Sequence, residues 1–429
     1  MKKQKIFGLS GISIIACDCL QAVICIFVDL FFVSQILKNP GQNVFFNIMT
    51  VGIFYVVYYI VLTTFYSFTG FALKKINKSI FVSLGSILLT VVVLMIYLLG
   101  DKLFAFAPLV AVVYGCGFGL FSPAYNGLTT ETISSKHQVK FFAVKKMAFQ
   151  LTYIIFPVSF GLIIDKVGFG TMALIMLAIC AALVTFSFLI KPQKSFDQTF
   201  CLRKFGRYLK ENKKETKPLR LVYLSNFFRG ASYDCFTTLI TILVMVTFAS
   251  NTSLGMFQSI FTGCSLLTLL FYLKFYRKKR VKAFILPTII TVACTIIAIL
   301  CCTNKVTIVL FYGNYVTFNV ILMSISDSRR SGVVRQLSLH RHILESNAYA
   351  EFALGSGRIF SSVLIVFAGL FDGMLNGTNF VFLKLALALV CVMYIMYGVS
   401  LMWVEKALIA QDNEFRQVHI NEVVEKTED

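Results

Sequence analysis

The stretch Ile80-Phe-Val-Ser-Leu-Gly-Ser-Ile-Leu-Leu-Thr-Val-Val-Val-Leu-Met-Ile-Tyr-Leu-Leu99 runs for twenty residues without a charge. A helix that crosses lipid must satisfy every backbone amide within its own segment, and about 20 apolar residues reach across the hydrocarbon core. The stretch therefore reads as a membrane-spanning helix, and the sequence on either side repeats the pattern. Apolar runs lie at roughly 8–36, 43–69, 80–99, 103–127, 147–164 and 169–190, then at 221–249, 254–275, 283–302, 306–325, 347–371 and 378–404. With 58% hydrophobic and only 14% charged residues in 429, a water-soluble globular domain is excluded. The expected fold class is an all-α membrane protein of about twelve transmembrane helices. Met1-Lys-Lys-Gln-Lys5 ahead of the first run imitates a secretory leader. That run is too long for one, carries Asp18 and Asp29 and lacks a small-x-small cleavage site, so it is read as the first membrane helix.

The longest polar stretch, Lys191 to Arg220, is rich in Lys and Arg with Pro192 and Pro218 near its ends, and divides the runs six plus six. The expected organisation is an N-terminal six-helix bundle over 1–190, a basic linker over 191–220, a C-terminal six-helix bundle over 221–404 and a tail over 405–429. The N-terminus, the even-numbered loops, the linker and the tail hold 33 Lys and Arg, whereas the odd-numbered loops hold only Lys38, Lys102, Lys166 and Lys305. Short basic loops stay in the cytoplasm, so both termini are expected there. The net charge of +20 is then a topology signal, helped by anionic lipid of the inner leaflet, and needs no nucleic-acid partner. Most of the twelve Cys sit inside apolar runs as small hydrophobes. Cys17-x-Cys19 finds no His in any apolar run to complete a site of about four ligands, so neither a metal nor another cofactor is expected. The halves echo one another. Asp18-Cys19 recurs as Asp234-Cys235, and Gly161-Leu-Ile-Ile-Asp165 as Gly369-Leu-Phe-Asp372. Internal repeats in transporters create a substrate site at their interface near the bilayer midplane.

Gly70-Phe-Ala-Leu-Lys-Lys-Ile-Asn-Lys-Ser79, after the second run, resembles the loop signature of the major facilitator superfamily, roughly G-x-x-x-D-R-x-G-R-R. Gly70 and Lys75 match, Lys74 replaces the Asp, and Asn77 replaces a Gly, a swap that left-handed backbone tolerates. Gly115-Cys-Gly-Phe-Gly-Leu-Phe-Ser-Pro123 resembles the family's small-residue fourth helix, where glycines permit close approach. Phe156-Pro157-Val-Ser-Phe-Gly161 is similar to its fifth-helix G-P-x-x-G-G motif with one glycine missing. His342 to Glu351, leading to Gly357-Arg358, resembles a pattern in major facilitator permeases of Firmicutes. The resemblance implies two six-helix bundles in a bacterial cytoplasmic membrane, a cavity lined by helices one, four, seven and ten, and a gating or structural role for Gly70, Lys74, Lys75 and Lys78.

An ionisable group inside the membrane costs at least about 2.5 kcal/mol, so each one marks a pathway or a buried pair. Asp18 and Asp29 are eleven residues apart and return to within about 20° of one face, which Gln21 and Cys25 share. In the cavity arrangement that stripe faces inward, with Asp18 as the leading proton carrier; Asp29, nearer the outer surface, also fits simple solvation. Arg229 and Asp234 lie about 140° apart on the seventh helix and do not pair. Arg229 sits at the depth of Asp18, which suggests a contact across the cavity or an anion anchor. Glu351 and Arg358 share a face and fit structure or gating. Tyr315 and Asn319, with Tyr312, form a stripe on the tenth helix, and Tyr55, Tyr58 and Tyr59 cluster on the second; such stripes are packing or substrate contacts. Lys384 fits a side chain snorkelling to the interface.

No G-x-x-x-x-G-K-[ST] loop is present to bind ATP, and no H-E-x-x-H or G-x-S-x-G motif supports an intramembrane enzyme. The expected function is a secondary transporter of a small-molecule substrate by alternating access, coupled to an ion; if that ion is a proton, carboxylates carry it, because all four His fall in cytoplasmic segments. Membrane lipids are the remaining partners. A non-transporting sensor or assembly factor and a lipid flippase stay open as alternatives.

Overall fold

The structure is a computed structural model that describes residues 9–39, 41–73, 75–132, 135–191, 200–275, 281–336, 343–375 and 380–428. Lys74 and His342 lie outside the described residues. Twelve helices among them are long and apolar enough to cross a membrane. In chain order these are α1 (Leu9–Leu37), α2 (Val44–Ala72), α3 (Lys78–Leu99), α4 (Ala107–Thr132), α5 (Ser135–Val167), α6 (Phe169–Phe188), α7 (Lys217–Phe248), α8 (Asn251–Phe275), α9 (Val281–Cys301), α10 (Lys305–Gln336), α11 (Ile343–Met374) and α12 (Val381–Glu428). A short linker helix, Leu202–Glu211, precedes α7. The all-helical, twelve-span fold expected from the apolar runs is the one observed.

Several helices outrun the membrane. α5 has 33 residues, which at 1.5 Å each is about 50 Å against a hydrocarbon core of about 30 Å. The surplus of α5, α10, α11 and α12 lies on the side of the chain's ends. The sequence hid this, because Lys145, Lys146, Arg329 and Arg330 read as loop charges. α12 also passes residue 404 without a break, and the buried Glu405 meets Arg329 Nε of α10 at 2.6 Å.

The halves meet along two seams, α2 with α11 and α5 with α8. Glycine sets the spacing in both. A Cβ on Gly52 would lie 2.8 Å from Val366 N, and one on Gly369 2.6 Å from Met49 N. Across the other seam, a Cβ on Gly161 would strike the Asn251 carbonyl and one on Gly255 the Pro157 carbonyl. The motif around Pro157 is thus a packing face for α8. The glycines of α4 behave similarly: Gly115 faces Tyr58 O and Val61 of α2, and Gly117 faces Leu89 of α3. The linker helix buries Phe205 and Leu209 against Leu219, Val222, Val333 and Val404, which docks it on the second half.

Candidate functional site

A cavity of about 390 Å3 lies between the halves. The first half lines it with Cys25 and Asp29 of α1, Tyr55 and Tyr59 of α2, and Lys146, Gln150 and Tyr153 of α5. The second half supplies Tyr233, Thr237 and Thr238 of α7, Gln258, Thr262 and Ser265 of α8, and Tyr312, Tyr315 and Asn319 of α10. α4, expected in the wall, contributes no lining residue; its glycines hold it behind α2 and α3, and α2, α5 and α8 take its place.

Local irregularity in α1 and α7 shapes the wall. α1 contains a π-helical turn at Phe27–Phe32 and α7 one at Gly230–Asp234. Such turns loosen the backbone ladder and present carbonyls sideways. Tyr55 donates to the Asp29 carbonyl at 3.5 Å, and Tyr315 to the Tyr233 carbonyl at 3.0 Å. A tyrosine from a neighbouring helix therefore seats each irregular turn. Tyr114 of α4 donates to Asp29 Oδ1 at 3.5 Å, and Asp29 stands in the cavity wall.

The neutral wall is ordered by its own hydrogen bonds. Tyr312 donates to Gln258 Oε1 at 2.5 Å, and Gln258 Nε2 donates to Thr262 Oγ1 at 3.2 Å. Asn319 is 2% exposed and its Oδ1 is buried without a hydrogen-bond partner. A buried acceptor left unmade costs about 1–3 kcal/mol, which a donor arriving in the cavity would recover.

Charges below the cavity pair differently from expectation. Asp18 does not meet Arg229. Its carboxylate lies 3.5 Å from Lys145 Nζ, which also sits 4.5 Å from the Tyr125 ring centroid. Arg229 Nη1 instead binds Asp327 Oδ1 of α10 at 2.8 Å. The cause is the helical extension of α5, which carries Lys145 alongside α1. Asp18 and Gln21 are not among the cavity-lining residues; Gln21 donates to Cys25 Sγ at 3.8 Å. Asp234 stands in the α7 π-turn. Arg358 reaches Glu351 at 3.0 Å and stacks over Tyr59 of α2 at 5.2 Å, so this pair of α11 touches the other half. Lys75 is exposed, and Lys78 is buried with its stem against Gly127 of α4. Gly70 leaves room for the Phe200 ring. Asn77 has φ −61°, an extended helix cap and not the left-handed backbone expected of it.

Sequence reasoning missed the most connected carboxylate. At the side away from the chain's ends, Asp165 of α5 accepts from Asn251 Nδ2 and the Thr252 amide, both at 2.8 Å, and from Ser250 Oγ at 3.2 Å, with Lys38 Nζ at 3.7 Å. Asn251 Oδ1 in turn accepts from Ser34 of α1 at 2.7 Å. This clasp ties α1 and α5 to the start of α8. On the other side the wall reaches Lys146, which is exposed. The available signal was the carboxylate ending one helix and Ser250-Asn251 opening a helix elsewhere, a capping pattern.

The family model described as Major Facilitator Superfamily matches residues 12–334. An uncharacterized Bacillus subtilis (strain 168) protein, YqgE, is 25% identical over 227 residues, 52% of this chain and 51% of its own length, so the match spans about half of that relative. The crystal structure of a mutant nucleoside transporter NupG superposes with a TM-score of 0.65 at 14% identity, covering 92% of this chain and all of that one. The human organic anion transporter MFSD10 (TETRAN) gives 0.62 at 11% identity, covering 92% and 99%. At these identities the structural likeness is one of fold. With the family model spanning well over half of the sequence and twelve helices arranged around a cavity between two halves, this chain belongs to the major facilitator superfamily.

Proposed function

We propose that this protein is a secondary transporter that carries a small molecule across the bacterial cytoplasmic membrane by alternating access. The carrying observation is a cavity between the halves with the partnerless Asn319 oxygen in its wall, together with the Asp165 clasp that joins the halves on the side away from the chain's ends. The basic-residue asymmetry supports a cytoplasmic side for both termini and the linker. In that orientation the clasp lies on the outer side and would serve as the outer gate.

Three roles follow from placement. Thr237, Thr238, Gln258, Thr262 and Asn319 offer neutral donors and acceptors that would read the substrate, and the cavity tyrosines offer it flat apolar faces. Asp29, in the cavity wall, would meet the substrate or the coupling ion. Asp18 and Lys145 form a buried pair in which protonating the carboxylate releases the lysine, the arrangement a proton carrier needs. Arg229 and Asp327 lie at the inner mouth and, with Arg358, Glu351 and Tyr59, would hold contacts that change as the inner side closes.

A single Cys at Thr262, in a background without native cysteines, tests the reading. Alternating access predicts that impermeant thiol reagents modify it from the inner face of inside-out vesicles and also from the outer face of intact cells. Modification from the inner face alone would fit a one-sided sensor and contradict transport. Asp18→Asn is expected to keep this two-sided labelling while abolishing accumulation driven by a pH gradient.

A further inference from the structure

Away from the central cavity, a slot of about 360 Å3 enters the second half between α7, α9 and α12. Its inner wall is apolar, with Leu239, Ile299, Leu383 and Leu387 all buried. Val246, Thr303 and Lys384 form the rim, and the first two are exposed. Val381, Leu385 and Val392 of α12 are exposed apolar side chains on the same helix, so lipid bathes this part of the molecule. The slot opens where α7 and α9 end and α12 begins, the end remote from the termini. From Phe380 to Leu387 it descends about 10 Å along α12.

Two features determine the occupant. An apolar void beside hydrocarbon forfeits dispersion contacts unless a chain fills it. Among the lining side chains only Thr247, Thr303 and Lys384 offer polar groups, and the buried Leu239, Ile299, Leu383 and Leu387 offer water none. Lys384 is the single ionisable residue among those lining the slot, and no acidic side chain pairs with it among the described residues. Near a helix end such a lysine lays its stem on apolar surface and carries its charge to headgroup level, where phosphate is the available counter-ion. We propose that this slot is a binding site for an anionic phospholipid, with one acyl chain between α7, α9 and α12 and the phosphate on Lys384. The site is separate from the central cavity, and its occupancy does not depend on what that cavity carries.

Native mass spectrometry of the full chain, delipidated in detergent and titrated with phosphatidylglycerol or phosphatidylcholine, tests the proposal. The wild type is expected to retain phosphatidylglycerol in preference to phosphatidylcholine. Lys384→Ala should weaken phosphatidylglycerol about fivefold, the usual contribution of one lysine near headgroups, and Lys384→Arg should restore it. Val246→Trp, which blocks the exposed rim and leaves Lys384 in place, should release the lipid. Lys102→Ala, at the same side in the other half, should change nothing. Equal retention of the two lipids by the wild type would overturn the assignment. So would an undiminished preference in Lys384→Ala, or an equal loss in Lys102→Ala.

Discussion

The two seams between the halves use different chemistry for the same task. Along α2 and α11 the contact is mostly apolar and close-packed, with Gly52 against Val366 and Gly369 against Met49, and its polar features include Arg358 over Tyr59 and the Thr63 hydroxyl against Gly355. Along α5 and α8 glycines also set the spacing, but the end away from the termini is held by Asp165 and its three hydrogen-bond donors. The repeated Gly…Asp motif sharpens the contrast. Asp372, its second copy, binds the Phe382 and Leu383 amides at 2.9 Å each, capping α12 within its own half, whereas Asp165 caps α8 across the divide. A carboxylate lock can exchange its partners for water when it opens, while packed glycines cannot part without exposing apolar surface. In the proposed transport cycle, the clasped end of the α5–α8 seam would open and the α2–α11 seam would bear the movement.

The largest effect should come from the packed seam. Gly369→Leu drives a side chain into the α2 backbone, and overpacking of this kind costs about 1–3 kcal/mol. Lower folded yield and an earlier thermal transition in detergent are expected; an unchanged transition would mean that the seam is loose.

Asp165→Asn should leave folded yield near that of the wild type and instead shift the balance of states. Hydrogen bonds to a charged group are worth about 1.5–3 kcal/mol, reduced here because the carboxylate is partly exposed, so roughly tenfold more outward-open protein is expected. Labelling of a Cys placed at Thr262 from outside reads this; an unaltered rate would remove Asp165 from the gate.

Arg358→Gln should cost about 1–2 kcal/mol through the lost ring contact together with the lost ion pair to Glu351, read as a drop in thermal transition without added outside labelling. Increased labelling would make this seam a second outer gate and erase the contrast. Smallest is Lys38→Ala. At 3.7 Å and half-exposed, its pairing with Asp165 is worth under about 1 kcal/mol and should fade with salt.

The fold was legible because hydrocarbon imposes long uncharged runs, and those survive any detail of packing. Helix ends were not, since charged turns such as Lys145-Lys146 look the same in a loop as in a helix projecting from the membrane. Asp29, Tyr315 and Asn319 could be found from their stripes, because a stripe of polar groups in a spanning helix must face protein or cavity. Ion partners could not. Asp18 meeting Lys145 in place of Arg229 depends on how α1 and α5 cross, and helical spacing constrains faces within one helix without fixing distances between two. Asp165 was visible only as half of a repeat, because the loop distances that join it to Asn251 exist only in the folded molecule.

The proposed opening of the clasped α5–α8 end is measurable as a distance. Spin labels on Val167→Cys at the end of α5 and Ser253→Cys at the start of α8, in a background without native cysteines, report it by double electron–electron resonance in nanodiscs. Two populations are expected, a short one matching the clasped state and a longer one, with the longer one rising roughly tenfold relative to the short one when Asp165→Asn is added. A single short distance, unchanged by Asp165→Asn, would contradict the clasp as the outer gate.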